Sequence, residues 1–259
     1  MKRLLQVPVL ILMMAGFLSA CVATTPEPTV SSPTETATLT LTPTITIDWF
    51  PATATSTPRP TQVIEPTPEM RPGIGGVLVE DLFSSEGEWR TGNFSAGNVT
   101  RVNDSVTIAI QQSKANLLSL ESKNTLRNFN LDTKVQINLC RDQDVYGLLI
   151  RSASEWNYYR FLVNCQGYAR AERIRDGATT LMQDWTPTGL PPGAPLEVSL
   201  GIWADGGEMR FFVNNAFVFS VKDPIFAEGT IGVFARADGD SPVTVRFSEM
   251  KIHSINASQ

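Results

Sequence analysis

From residue 73 onward, apolar and polar residues alternate in short runs, and no long stretch repeats its apolar positions at the 3.6-residue period of a helix. VTIAI (106–110), KVQINL (134–139), YGLLIR (146–151), YYRFLV (158–163), ARAERI (169–174), LEVSLGIW (196–203), MRFFV (209–213), FVFSV (217–221), TIGVFAR (230–236) and VTVRFSEMKI (243–252) each read as a strand. Asp-Gly, Gly-Gly, Asn-Asn and Pro-Pro-Gly stand between them as turn punctuation. Strict alternation puts Leu196, Val198, Leu200 and Ile202 on one face of their strand. It also divides 158–163 into Tyr159, Phe161 and Val163, assigned to the core, and Tyr158, Arg160 and Leu162, facing away. Ten such runs without a helical pattern predict an all-β, two-sheet antiparallel sandwich over residues 73–259, with no seam for a second domain.

The first residues follow another pattern. Lys2 and Arg3 precede an uncharged run, residues 4–17, that is too short for a bilayer span of about 20 residues but suits the apolar core of a secretory signal. Leu18-Ser19-Ala20-Cys21 resembles the bacterial lipobox. That resemblance implies cleavage after residue 20 and lipid on Cys21, holding the protein outside a membrane of the bacterial cell envelope; acyl chains anchor by about 0.8 kcal/mol per buried CH₂. Residues 22–72 hold 15 Thr and 10 Pro. Such a stretch buries no core and extends as a semi-rigid stalk, on the order of 100 Å at about 3 Å per residue. ITIDWF (45–50) is its one apolar patch. The expected organisation is therefore a signal peptide (1–20), a lipidated cysteine with a disordered stalk (21–72) and one sandwich domain (73–259).

Within the domain, YGLLIRSASEWNYYRFLVNCQGYARAERI resembles the middle of concanavalin A-like (laminin G/family-16 glucanase-type) jelly-roll domains. GAPLEVSLGIWADGGEMRFFVNNAFVFSVKDPIFAEGTIGVFA and the closing VRFSEMKI continue the likeness, which spans about Val77 to Ile255. It implies the jelly-roll fold but no one activity, since this sandwich hosts lectins, glucanases and structural modules alike.

Three cysteines are present. With Cys21 lipidated, Cys140 and Cys165 remain as an even pair in an oxidising compartment and are expected to form a disulfide. If KVQINLC, YGLLIR and YYRFLVNC are consecutive antiparallel strands, both cysteines lie at the same end. They are then two strands apart, about 9.6 Å, so the chain ends must bend inward to bond.

Candidate catalytic chemistry is sparse. The one histidine, His253, lies in a strand-like run without the usual triad partners, and a zinc site lacks ligands. Family-16 glucanases place two glutamates around an aspartate as Glu-x-Asp-x-x-Glu, and that spacing is absent; the mechanism needs two carboxylates about 5 Å apart. Glu172 and Asp176, with cations between them, read as a solvated edge. Binding is the better supported role. Arg151, Trp156, Tyr158, Arg160 and Glu172, with Trp185 in the following segment, are the candidate ligand-contacting residues. Sandwiches of this kind hold sugars with aromatic faces and planar polar groups. Trp89 and Trp203 read as structural. No cofactor is expected, apart from calcium at the loop acids Asp142, Asp144, Asp238 and Asp240, which turn chemistry explains equally well.

Charge removes one class of partner. The signal contributes +2, the stalk two Arg against five acids, and the remainder 17 Lys and Arg against 21 Asp and Glu, which sums to −5. No basic stripe is present for nucleic acid. The expected function is a membrane-tethered, non-catalytic module binding a polysaccharide or an envelope protein. The rivals are a hydrolase of polysaccharide or modified disaccharide, and a structural or sensor ectodomain.

Overall fold

In the computed structural model, residues 69–84, 88–240 and 242–256 are described. The expectations for the signal, Cys21, ITIDWF and most of the stalk lie outside these residues. Two antiparallel sheets and no helix are found among the described residues. One sheet has nine strands: β1 (Ile74–Val79), β2 (Gly92–Phe94), β3 (Gly97–Arg101), β4 (Ser105–Ile110), β6 (Phe129–Leu139), β11 (Leu196–Asp205), β12 (Glu208–Val213), β13 (Ala216–Lys222) and β15 (Val243–Ile255). Their order is β13-β12-β11-β6-β15-β4-β3-β2, with β1 also pairing to β15. The other sheet has six: β5 (Asn116–Leu120), β7 (Val145–Ser154), β8 (Asn157–Asn164), β9 (Tyr168–Arg175), β10 (Ala178–Pro187) and β14 (Thr230–Arg236), in the order β10-β9-β8-β7-β14-β5. This is the expected jelly-roll sandwich; the ten alternating runs are ten of its strands, and β1, β2, β3, β5 and β10 were not among them.

The turns follow from their residues. Asp176 (φ 52°) and Gly177 (φ 80°) close the β9–β10 hairpin, and Asn214 (φ 49°) and Asn215 (φ 64°) close β12–β13. Two-residue hairpins of the primed type need left-handed backbone at both positions, which Asn, Asp and Gly accept at least cost.

Between the sheets lies one apolar core. Leu131, Val135 and Ile137 of β6, Val198, Leu200 and Ile202 of β11 and Tyr159, Phe161 and Val163 of β8 all point into it. Phe161 stacks on Phe211 at 5.6 Å, and Phe211 meets Phe219 at 5.6 Å, so aromatic rings join the two layers. Trp89 donates its indole N–H to the Leu82 carbonyl and packs on Phe83, the structural role expected of it.

Cys140 and Cys165 are bonded, with Cα atoms 5.9 Å apart. The route differs from the expected one. The KVQINL run is β6 of the nine-stranded sheet, whereas β7 and β8 belong to the other, so the disulfide joins two layers and does not span two strands of one sheet. Alternation identifies a strand but not its sheet, which is why the pairing was readable and the path was not.

Residues 70–72, which composition assigns to the stalk, dock on the outer face of the nine-stranded sheet. The Arg71 guanidinium donates to both Asp132 oxygens at 2.8 and 3.0 Å and lies 3.9 Å from the centre of the Phe212 ring. The Pro72 carbonyl accepts from the Trp203 indole (2.9 Å), and the Met70 carbonyl accepts from Arg210 (2.9 Å). Gly201 makes the room: a Cβ there would stand 2.3 Å from an Arg71 nitrogen.

Candidate functional site

The outer face of the six-stranded sheet carries a second cluster: Val145, Leu149, Tyr158, Leu162, Ile174 and Phe234, with Leu118, Leu120 and Trp185 packed against it. The division of β8 into two faces is therefore as alternation predicts. The outward set is nonetheless covered, Tyr158 being 5% and Leu162 2% exposed.

Part of the cover is made by arginines. Glu172 on β9 stands opposite Arg160 on β8, and its carboxylate accepts from the Arg160 Nε and from an Arg170 terminal nitrogen. Arg160 lies over the Phe234 ring at 5.3 Å and Arg170 over the Trp185 ring at 5.2 Å. Long side chains lying on apolar surface while their heads pair explains a sheet face that is both charged and buried. Burial pushes the Arg160 pKa down, against an opposing hydrogen bond with the Tyr158 hydroxyl. Burial likewise raises the Tyr158 pKa. Glu172 is 1% exposed. Its expected place on a solvated edge is corrected by β10, a strand not read from the sequence, which pairs along the outside of β9.

Above this floor runs a cleft of about 330 Å³, lined in part by Tyr158, Arg160 and Ile174. One wall is the β7–β8 turn with Glu155 and Trp156; another comes from Arg90 and Phe94, at the β2 end of the other sheet. Arg90 pairs with Glu155 across the cleft mouth, both side chains about half exposed. Trp156 is 64% exposed although it is among the largest side chains of the domain. Its ring lies against Gly177, whose Cβ, if present, would come within 3.5 Å of it, and the Gly177 N–H donates to the Trp156 carbonyl. The ring is thus seated on the neighbouring hairpin with the rest of its surface in water.

Of the expected ligand-contacting residues, Trp156, Tyr158 and Arg160 line the cleft, Glu172 is buried against Arg160 without lining it, and Trp185 packs farther along the same face. Arg151 is not brought there. Leu149 pairs with Arg160, but between Ile150 and Ser154 the β7–β8 register slips, and Arg151 takes φ 50°. This bulge turns its side chain off the outer face. Arg151 is wholly buried and donates to the carbonyls of Arg127 (2.8 Å) and Phe226 (3.3 Å), with burial lowering its pKa. Arg90, Phe94 and Glu155 were not anticipated; no local pattern joins residues this far apart in sequence.

Of the loop acids, Asp144 is engaged by the backbone. One Asp144 oxygen accepts from the Arg141 N–H, and the other accepts from Asp238 and Gly239. Among the described residues, no three His, Cys, Asp or Glu side chains gather as metal ligands.

No protein-family model matches this sequence, and no curated protein does. Solved structures do match. A Bacillus licheniformis β-glucanase aligns at 10% identity with a TM-score of 0.51, over 70% of this chain and 99% of its own. A Bacillus subtilis protein of unknown function with a galectin-like fold aligns at 12% identity and TM-score 0.51, over 70% of this chain and 97% of its own. Carbohydrate binding module CBM66 from Bacillus subtilis aligns at 16% identity and TM-score 0.48, over 64% and 95%. These are likenesses of fold. The β-glucanase and the galectin-like protein agree with the expected two-sheet sandwich fold.

Proposed function

We propose that this protein is a lipid-anchored, extracytoplasmic module that binds a glycan in the cleft on its six-stranded sheet. The observation that carries the reading is Trp156, a large, mostly exposed aromatic ring held in place beside Tyr158 and Arg160 at a cleft. Exposing such a ring costs burial that the fold elsewhere obtains, and an apolar face next to fixed hydrogen-bonding groups suits the C–H faces and hydroxyls of a sugar. The fold's neighbours include a β-glucanase, which is consistent with a sugar ligand. Among the described residues lining the cleft, the one carboxylate is Glu155, which is paired with Arg90. Among the described residues a two-carboxylate hydrolytic mechanism finds no second lining acid, which favours binding over hydrolysis.

Anchoring is proposed from Leu18-Ser19-Ala20-Cys21 and the Thr/Pro stalk. Metabolic labelling with a palmitate analogue is expected to mark the protein and to fail in Cys21→Ser. For the ligand, a polysaccharide array is expected to show binding that Trp156→Ala removes. An array with no hits overturns the glycan reading and leaves an envelope protein as the partner to seek.

A further inference from the structure

We propose that the glycan is acidic, a polymer whose sugars bear carboxylates, and that Arg160 is the residue that meets the carboxylate. This rests on the glycan-binding reading of the cleft.

The observation is a mismatch of charges in a dry place. Glu172 is shared by two guanidinium groups, Arg160 and Arg170, so the three side chains together carry a residual positive charge. Arg160 lines the cleft; Arg170 and Glu172 do not. The excess is therefore presented to a ligand through Arg160, whose side chain is 14% exposed.

A third guanidinium, Arg236 on β14, acts on Arg170 as a like charge, as does Arg160. The Nε atoms of Arg170 and Arg236 are out of water and without a hydrogen-bond partner. Described acids near these guanidinium groups are themselves paired or exposed to water. Glu155 is engaged by Arg90, Asp238 stands 3.4 Å from Arg236 with both side chains more than a third exposed, and Asp184 is exposed near Arg170. Water screens these rim charges far more than it screens Arg160 against the floor of the sheet.

Arg160 is also held still. Its Nε is used by Glu172, the Tyr158 hydroxyl bonds to it, and its face lies on Phe234. A guanidinium immobilised in this way matches the planar fork of a carboxylate with little further ordering. A neutral sugar covering the same group strips its remaining water and returns no counter-charge, which costs free energy. A uronic acid returns that charge, while its ring can still lie on Trp156.

The test is affinity electrophoresis of the full-length protein through gels containing polygalacturonate, alginate or hyaluronate, each run beside its carboxyl-reduced, neutral counterpart. Retardation by at least one acidic polymer is expected, with the reduced form about tenfold weaker. Trp156→Ala is expected to weaken both forms. Arg160→Lys keeps a charge over Glu172 and so keeps the fold, but it loses the fork and is expected to narrow the acidic-over-neutral difference. Equal retardation by acidic and reduced polymers, abolished by Trp156→Ala, overturns the acidic ligand and leaves glycan binding standing. Retardation by neutral polymers alone does the same. No retardation by any polymer, acidic or neutral, overturns both.

Discussion

Two faces of one strand, β8, are buried by opposite means. Tyr159, Phe161 and Val163 are covered by a second sheet, and rings and branched chains from β11, β12 and β13 fill the space. Tyr158, Arg160 and Leu162 have no sheet above them. On that face Trp185 packs against the apolar cluster, Arg160 and Arg170 lie over Phe234 and Trp185, and Glu172 pairs with both guanidinium groups. The inner face is apolar, insensitive to salt, and sensitive to lost volume. The outer face is sensitive to a single lost charge. A strand can thus look uniformly buried while its two sides obey different physics, and only the side built from charges is equipped to meet a polar ligand.

Substitutions should separate the two. Phe161→Ala removes the ring that joins the sheets and should cost about 4 kcal/mol, read as a lower denaturant midpoint with little change in slope. Glu172→Gln should cost less, about 2–3 kcal/mol, since it strands two guanidinium groups that still reach some water. Its loss should also shrink in high salt, which the Phe161 loss should not; equal salt behaviour would argue against charge as the basis of the outer face. Tyr159→Phe deletes a hydroxyl that donates to Asp223 and accepts from the Phe226 N–H, and about 1–2 kcal/mol is expected from thermal unfolding. Trp156→Ala, on the outer side and in water, should change stability by no more than about 0.5 kcal/mol while removing glycan binding.

Proton titration gives a further contrast. Burial raises the Tyr159 pKa to about 12 from its ordinary 10, against an opposing hydrogen bond from the Phe226 N–H. A tyrosine that keeps its proton longer when folded adds stability that is fully present below about pH 10. That stability is lost as pH rises through about 12. A spectrophotometric phenolate titration of the folded protein should therefore show a late step that Tyr159→Phe deletes. A titration identical in the variant would count against this assignment.

How much of this could be read in the sequence divides along the same line. The period-two pattern identifies ten of the fifteen strands, missing β1, β2, β3, β5 and β10, and assigns both faces of β8, because a strand has only two sides. Arg151, expected among the ligand-contacting residues, is turned away from them by the bulge between Ile150 and Ser154. A bulge adds a residue without leaving a mark on the alternation. Glu172 was picked out as a candidate, yet its burial depends on β10. That strand's mixed run, Ala178–Pro187, lacks a clean alternation and pairs with two register shifts. The Arg90–Glu155 pair and the sheet membership of β6 are set by tertiary packing, beyond any spacing rule.

The docking of Met70, Arg71 and Pro72 bears on how the domain takes a mechanical load. Tension on the chain before residue 69 does not begin by peeling β1 away from β15. It arrives first at Arg71, clamped by Asp132 of β6 and Phe212 of β12 in the gap left by Gly201 of β11, with Trp203 and Arg210 gripping the neighbouring carbonyls. Those three strands lie inside the nine-stranded sheet, with neighbours on both sides. Force is therefore spread over the middle of the nine-stranded layer, away from the six-stranded sheet that floors the cleft.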